Sequence, residues 1–318
     1  MLLSAYGGVF VKLDTRKNDA LEILREKLKI VPKEIHRFTT GYCHNVYHIK
    51  CEDKDYVLRI TSEANKAYYF GSIRWLSELS RLEIPVPKIL AHGQHNHIYF
   101  VLMTYICGKD LGEVYHTLDD FQKCGIAKDL CKVQKKVSLL PSINQYGYHG
   151  NLFGTWSKYL ESLIERSRRR MAQNEVFDTS LCNNVSSVMH AFADYFLNIK
   201  PLPFLDDITT KNVLIHDGKL AGIVDIDEIC HGDSLLTIGL TNMSLLSMNA
   251  DTRYIDFWLD ELCATPVQRK AVDFYTLLFC IDFMGEQGMR FDNDKVISIN
   301  QKTIASLKYI YHDLQGSF

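Results

Sequence analysis

The sequence predicts an α+β protein of two lobes. A five-stranded antiparallel sheet with one helix forms the first lobe, and the second is mainly α-helical with one short β-hairpin. Three observations support this. Short β-prone runs between turn residues fill the chain up to residue 105, apolar positions at helical spacing dominate the remainder, and 318 residues exceed what one core usually holds. We therefore expect domains at residues 1–105 and 106–318.

The elements of the first lobe follow from local signals. Asn18 and Asp19 precede a helical apolar pattern that ends near Pro32. A second helix is expected over residues 64–82, since the Ile84-Pro85-Val86-Pro87 segment cannot continue it. Turn residues bound the β-prone runs. The five strands are expected from residue 35 and over residues 45–50, 56–60, 88–92 and 97–105.

Helices dominate the predicted second lobe. Apolar residues at a spacing near 3.6 predict helices over residues 118–138, 155–173, 179–199, 254–262 and 267–284. The clear β signal in this lobe is the segment 212–225, in which two apolar runs flank Asp217-Gly218. That dipeptide suits the type I′ turn of a tight hairpin.

Composition and charge narrow the class of protein. With 47% hydrophobic and 23% charged residues, the chain is neither disordered nor collagen-like. A net charge of −2 argues against a nucleic-acid-binding protein, and the basic segment 166–170 is interpreted as a solvated helix face. Residues 201–318 hold 17 acidic against 9 basic residues, which favours metal ions or a cationic ligand.

The cysteines and the apolar segments indicate a cytoplasmic protein. Nine cysteines are an odd number, and none forms a C-x-x-C pair, so we expect free thiols in a reducing compartment. The N-terminal apolar segment lacks the basic residues and cleavage site of a signal peptide. No stretch is long and apolar enough to span a membrane, so we expect no membrane partner.

Two oxygen-bearing side chains are expected at the open end of the hairpin. With Asp217-Gly218 as the turn, Asn212 opposes Ile223, and Asp225 lies diagonally within about 7–8 Å. Amide and carboxylate oxygens suit Mg²⁺ better than zinc or copper. Asn212 and Asp225 are therefore the predicted metal ligands.

A third carboxylate is expected at the same end of the hairpin. Asp207 lies five residues before Asn212, in the loop that leads into the first strand. Phosphoryl transfer needs one carboxylate for the attacking hydroxyl and metal ions to neutralise the phosphate oxygens. The triplet of Asp207, Asn212 and Asp225 fits this division of roles.

The order of these motifs resembles the aminoglycoside phosphotransferase family, which has a protein-kinase-like fold. The resemblance spans about residues 20–290. It includes the D-x-x-x-x-N loop at 207–212, the Ile-Asp-x-Asp type motif at 224–227 and the Gly-Asp at 232–233. The motifs of the first lobe agree in order, at residues 41–47, 56–59, 75–76, 85–87 and 101–108.

The resemblance implies roles for individual residues. Asp207 would be the catalytic base or orient the hydroxyl, and Asn212 and Asp225 would bind Mg²⁺. Arg59 would contact the nucleotide phosphates, and Gly41 would let its loop approach them.

The resemblance also implies a nucleotide site and an activity. Met103, Thr104 and Tyr105 would supply backbone contacts to adenine. The protein would be a small-molecule kinase that moves the γ-phosphoryl group of ATP or GTP to a hydroxyl, with Mg²⁺ as cofactor. The acidic half favours a cationic acceptor, such as an aminoglycoside, an amino alcohol or an amino sugar.

Two departures from the family pattern leave an alternative open. Leu205 stands where the family has a histidine that braces the catalytic loop. Gly71 or Ser72 occupies the approximate place of the helix glutamate that pairs with the strand cation, while Glu63 and Glu78 are offset. The alternative is a pseudokinase that binds nucleotide as a regulatory or scaffold protein.

Other polar residues near these motifs receive simpler interpretations. Asp227 and Glu228 either add to the metal shell or line the cleft. Asp233 is expected to cap the backbone that follows it. We expect surface or strand roles rather than zinc binding for the His/Cys residues within 43–51, because His44 and His48 would lie roughly 13 Å apart on a strand.

Overall fold

The computed structural model describes residues 16–38, 44–290 and 296–318. The first part of the chain forms the predicted sheet, with strand order β1-β2-β3-β5-β4 and every neighbouring pair antiparallel. Its strands are β1 (Glu34–Arg37), β2 (Asn45–Lys50), β3 (Asp55–Ser62), β4 (Ile89–His95) and β5 (Ile98–Thr104).

Two helices cover the two faces of this sheet. Helix α1 (Lys17–Glu22) continues into one π-helical turn (Ile23–Lys27) and packs on the face that bears Leu58 and Ile60. Helix α2 (Lys66–Arg81) packs on the opposite face. Because side chains alternate along a strand, Arg59 points away from Leu58 and Ile60, towards α2.

The second part of the chain is mainly helical. Its helices are α3 (Leu111–Val114), α4 (Asp120–Val137), α5 (Trp156–Asn174), α6 (Leu181–Ala191), α7 (Ala193–Leu197), α8 (Leu235–Ser247), α9 (Arg253–Glu261), α10 (Pro266–Gly285) and α11 (Gln301–Gln315). Helix α10 lies at the centre, where it packs against α5, α8 and α11. The sequence predicted most of these helices, but the expected helix over 179–199 breaks at Phe192 into α6 and α7.

The predicted hairpin is present in this part, and short strands that the sequence did not indicate lie beside it. Among the residues of this part that the structure describes, seven short strands form two small sheets, of order β11-β10-β6 and β8-β7-β12-β9. They are β6 (Lys109–Asp110), β7 (Tyr146–Tyr148), β8 (Asn151–Phe153), β9 (Leu202–Phe204), β10 (Val213–His216), β11 (Lys219–Ile223) and β12 (Cys230–Gly232). Strands β6 to β9 and β12 have two or three residues each, which is too short for a pattern of alternating side chains to identify them.

The hairpin β10–β11 has the predicted turn but a different register. Asp217 and Gly218 have the positive φ values that a type I′ turn requires, 48° and 72°. A β-bulge then shifts the pairing by one residue, so that Asn212 opposes Val224 rather than Ile223. Val224 N–H donates to the Asn212 carbonyl over 2.9 Å. Asp225 is therefore the residue that directly follows the partner of Asn212, one position nearer than in the predicted register.

Two further observations concern the cysteines and membranes. The cysteines within the described ranges are free thiols, as predicted. None of the helices in those same ranges is long and apolar enough to cross a membrane.

Candidate active site

The loop between β9 and β10 presents Asp207 to the space between the two parts of the molecule. The Asp207 side chain is exposed there, and its Oδ1 accepts a hydrogen bond from Thr209 Oγ1 at 3.2 Å. Asn212 Nδ2 donates to the Asp207 carbonyl over 2.9 Å, which closes the loop onto the start of β10. The D-x-x-x-x-N spacing therefore has a structural basis.

Asp225 lies two residues after the end of β11, and its backbone is left-handed, with φ of 59°. Its carboxylate is about half exposed, at 49% of the side chain. Since Asn212 uses its amide nitrogen on the loop, its amide oxygen remains as a possible ligand beside this carboxylate. One amide and one carboxylate oxygen form a donor set that fits Mg²⁺.

Negative charges concentrate around Asp207. The Asp207 side chain reaches solvent, but the surrounding protein still desolvates its carboxylate, which raises the pKa of Asp207 to about 7, and the nearby carboxylates of Asp206 and Asp225 add to this rise. Partial desolvation also raises the pKa of Asp225, although the positive charge of Arg59 opposes the effect. A bound cation would relieve the repulsion among these groups.

Arg59 of β3 reaches across to this group of acids. Its guanidinium NH2 lies 2.6 Å from Asp227 Oδ2, and its NH1 lies 3.8 Å from Asp225 Oδ1. The side chain is only 4% exposed, and its Nε has no hydrogen-bond partner among the described residues. A buried donor without a partner is costly, so the site fits an anionic group such as a phosphate.

His44 completes the surroundings of Arg59. Its Nε2 lies 2.5 Å from Arg59 NH2 and 3.1 Å from Asp227 Oδ2, and its Nδ1 lies 3.1 Å from Thr61 Oγ1. His44 therefore contacts Arg59, Asp227 and Thr61 at the same time. The interpretation of His44 as a surface or ordinary strand residue is wrong, because it is 5% exposed and lies inside the site.

The loop that bears Asp207 is braced without a histidine. Leu205 is buried, and its backbone N–H and carbonyl both bond to the side chain of Gln134 in α4, over 3.0 and 2.6 Å. Thr237 of α8 donates to the same carbonyl over 2.8 Å. The loop is therefore fixed through its backbone, by residues distant in sequence.

The residues expected at the adenine site lie at the end of β5. Met103 is buried and packs in the core that includes α2. Thr104 N–H donates to the Lys88 carbonyl over 2.9 Å, and the irregular segment 105–108 begins at Tyr105. The Tyr105 ring stacks on His48 at a centroid distance of 4.3 Å. Gly41 lies outside the described residues.

Asp206 and Asp233 have separate roles from Asp207. Asp206 accepts a hydrogen bond from the Tyr148 hydroxyl. Asp233 is buried and accepts from the Leu235 N–H at 3.0 Å and from the hydroxyls of Tyr195 and Tyr275 at 2.7 and 2.8 Å. The predicted capping role of Asp233 is confirmed.

The interpretation of the segment 166–170 as a solvated face is wrong for two of its arginines. Arg166 NH2 and Arg170 NH1 lie 3.0 and 2.9 Å from the carboxylate of Asp282, which is buried in α10. Arg169 is exposed. Because Asp282 is more than 100 residues away, periodicity within α5 did not reveal this pairing.

Comparisons with known structures agree with this fold. Aminoglycoside 2′-phosphotransferase-IIIa in complex with GDP has a TM-score of 0.70 at 14% identity, covering 95% of this chain and 99% of that one. A putative fructosamine-3-kinase from Haemophilus somnus has a TM-score of 0.63 at 14% identity, covering 92% and 95%. A thermostable mutant of aminoglycoside phosphotransferase APH(4)-Ia, bound to AMP-PNP and hygromycin B, has a TM-score of 0.60 at 14% identity, covering 94% and 96%.

Sequence comparison assigns the family. A Staphylococcus aureus protein described as "Uncharacterized protein in ileS 3'region" is 25% identical over 114 residues, which are 36% of this chain and 79% of that protein. The model of the phosphotransferase enzyme family matches residues 34–272, well over half of the chain. The two-lobed, protein-kinase-like fold and the ordered motifs agree with that match. The chain therefore belongs to the phosphotransferase enzyme family.

Proposed function

We propose that the protein transfers the γ-phosphoryl group of ATP or GTP to a hydroxyl group of a small cationic molecule. The observation that supports this most directly is the meeting of Asp207, Asn212 and Asp225 at one end of the hairpin, with Arg59 beside them.

In the proposed reaction, the acceptor oxygen forms a bond to the γ-phosphorus while the bond to the bridging oxygen breaks. The nucleoside diphosphate leaves, and Asp207 takes the proton of the acceptor hydroxyl. Arg59 binds phosphate oxygens, and the backbone near Tyr105 holds the adenine or guanine base. Asn212 and Asp225 would hold Mg²⁺, which neutralises charge on the phosphate oxygens.

The preference for a cationic acceptor rests on charge. Asp206 and Asp225 lie close enough to Asp207 to raise its pKa, so this part of the cleft is negatively charged. A negative cleft attracts cations and raises their local concentration. The acceptor class proposed here is an aminoglycoside, an amino sugar or an amino alcohol.

The structure offers substitutes for both departures from the family pattern. Gln134 and Thr237 brace the loop at Leu205, and Asp227 pairs with Arg59. These contacts favour an active enzyme over a nucleotide-binding pseudokinase.

The test is acceptor-dependent release of ADP or GDP, measured with a panel of aminoglycosides, amino sugars, amino alcohols and neutral sugars. We expect turnover with at least one cationic acceptor, and a loss of about 10²–10⁴-fold in Asp207→Asn. Asp256→Asn, an exposed change on α9, serves as the matched control. Stabilisation by nucleotide without turnover on any acceptor would instead support the pseudokinase.

A further inference from the structure

Arg59, the cation of β3, lacks the glutamate partner that the family pattern places in α2. The acids of α2 and of the turn before it are Glu78 and Glu63, and both form local ion pairs on the surface. Glu78 pairs with Arg81 at 2.7 Å and Glu63 with Lys66 at 3.2 Å. Neither therefore holds Arg59.

The two α2 residues nearest the expected place also cannot act as counter-ions. Ser72 is buried, and its hydroxyl donates to the Tyr69 carbonyl of the same helix over 2.9 Å. Gly71 has no side chain, and a Cβ atom there would lie 2.1 Å from the Asp227 carbonyl oxygen. The glycine thus allows the 225–228 segment to lie directly against α2.

The counter-ion comes from that segment. Both carboxylate oxygens of Asp227 lie close to Arg59 NH2, at 2.5 and 2.6 Å, and His44 Nε2 lies 3.1 Å from the same carboxylate. The Asp227 side chain is 16% exposed and that of Arg59 is 4% exposed, so water screens this pair only weakly.

We propose that Asp227 is the positioning residue that orients Arg59 towards the nucleotide phosphates, in place of an acid from α2. This inference rests on the proposed function, since it concerns how that site binds nucleotide. Asp227 acts through Arg59 rather than by binding metal. The orientation of the cation then depends on the same short segment that holds Asp225.

Nucleotide binding measured without metal distinguishes a role of Asp227 in orienting Arg59 from a role as a metal ligand. We would measure the affinity for ADP and GDP by calorimetry in EDTA, and again with Mg²⁺, for the wild type and for Asp227→Asn. A misplaced cation binds its ligand less well, so we expect about a tenfold loss of affinity in EDTA. A metal ligand would instead show its loss with Mg²⁺ only.

A double-mutant cycle tests whether Asp227 acts through Arg59. In the Arg59→Met background, Asp227→Asn should cause no further loss of nucleotide affinity in EDTA. Denaturant unfolding of each variant confirms that it is folded, and Asp256→Asn is the matched control. A merely structural role of Asp227 would lower stability without this dependence on Arg59.

Several results would overturn the inference. The first is an unchanged or tighter nucleotide affinity of Asp227→Asn in EDTA. The second is a loss of nucleotide affinity that appears only with Mg²⁺. The third is an equal loss when Asp227→Asn is introduced into the wild type and into Arg59→Met. If the wild type binds neither nucleotide under any condition, the proposed function fails as well. If the wild type binds nucleotide and transfers phosphate normally, a failure concerns the role of Asp227 alone.

Discussion

Gln134 bonds both backbone polar groups of Leu205, with Nε2 donating to the carbonyl over 2.6 Å and Oε1 accepting from the N–H at 3.0 Å. The amide is 9% exposed, so water competes little for these bonds. Leu205 lies two residues before Asp207. The amide therefore connects helix α4 rigidly to the loop that presents the proposed catalytic carboxylate.

Replacement of Gln134 by leucine should reduce both stability and turnover. Gln134→Leu leaves a buried N–H of Leu205 without a partner, so the free energy of unfolding should fall by about 2–3 kcal/mol. Thr237→Val removes one bond to the same carbonyl and should cost only about 1 kcal/mol. Urea unfolding and phosphoryl-transfer assays check both. Equal stability of Gln134→Leu and the wild type would contradict this role.

Gly71→Ala should destabilise the protein although alanine favours helices. A glycine-to-alanine change inside a helix usually stabilises by up to about 1 kcal/mol. At Gly71, however, the new Cβ would lie 2.1 Å from the Asp227 carbonyl oxygen, so α2 or the 225–228 segment must move. We expect a loss of about 1–3 kcal/mol, together with weaker nucleotide binding.

Gly125→Ala in α4 provides the matched control for that change. A Cβ at Gly125 would meet no atom within 4 Å, so the usual helical gain should appear there. Urea unfolding of both variants makes the comparison. A gain in stability at Gly71 as well would show that α2 does not need this close approach.

Local patterns were sufficient to predict the sheet and the hairpin turn, because those elements depend on neighbouring residues. The five antiparallel strands and the turn at Asp217 and Gly218 are confirmed. The register of the hairpin was not predictable in this way. Its bulged strand meets a distant segment, since Ile223 N–H donates to the Pro85 carbonyl over 2.8 Å.

The same distinction between local and long-range contacts applies to the candidate active site. The spacing of Asp207 and Asn212 lies within one loop, so the sequence showed it directly. Gln134 and Leu205 are 71 residues apart, and Arg59 and Asp227 are 168 residues apart. Such pairs form only when separate elements pack together, and nothing in the local pattern of either residue indicates its partner. The sequence did depart from the family motif at Leu205 and in α2. Those two departures were the signal that other residues must brace the loop and pair with Arg59.

The raised pKa of Asp207 predicts a pH-dependent effect on stability in metal-free protein. Its pKa is about 7 in the folded state, against an ordinary value of about 4 in the unfolded chain. Between these values the folded state binds more protons, so the wild type loses stability from this group as the pH rises. Asp207→Asn lacks the titrating group.

Asp207→Asn should therefore gain stability relative to the wild type, and the gain should be larger at pH 8 than at pH 5. Thermal unfolding in EDTA at the two pH values measures the difference. A gain of the same size at both would mean that the folded protein does not raise the pKa of this carboxyl group.

The left-handed backbone of Asp225 predicts that the choice of replacement matters for stability but not for activity. Asp225→Gly and Asp225→Ala both remove the proposed metal ligand, so both should abolish Mg²⁺-dependent transfer. Glycine adopts a φ of 59° without strain, whereas alanine pays about 1 kcal/mol, so the glycine variant should be the more stable of the two in urea unfolding. At Asp256, inside helix α9, the order should reverse, because alanine is the better helix former. If the two Asp225 variants unfold at the same urea concentration, the backbone at this position is not held in the left-handed conformation.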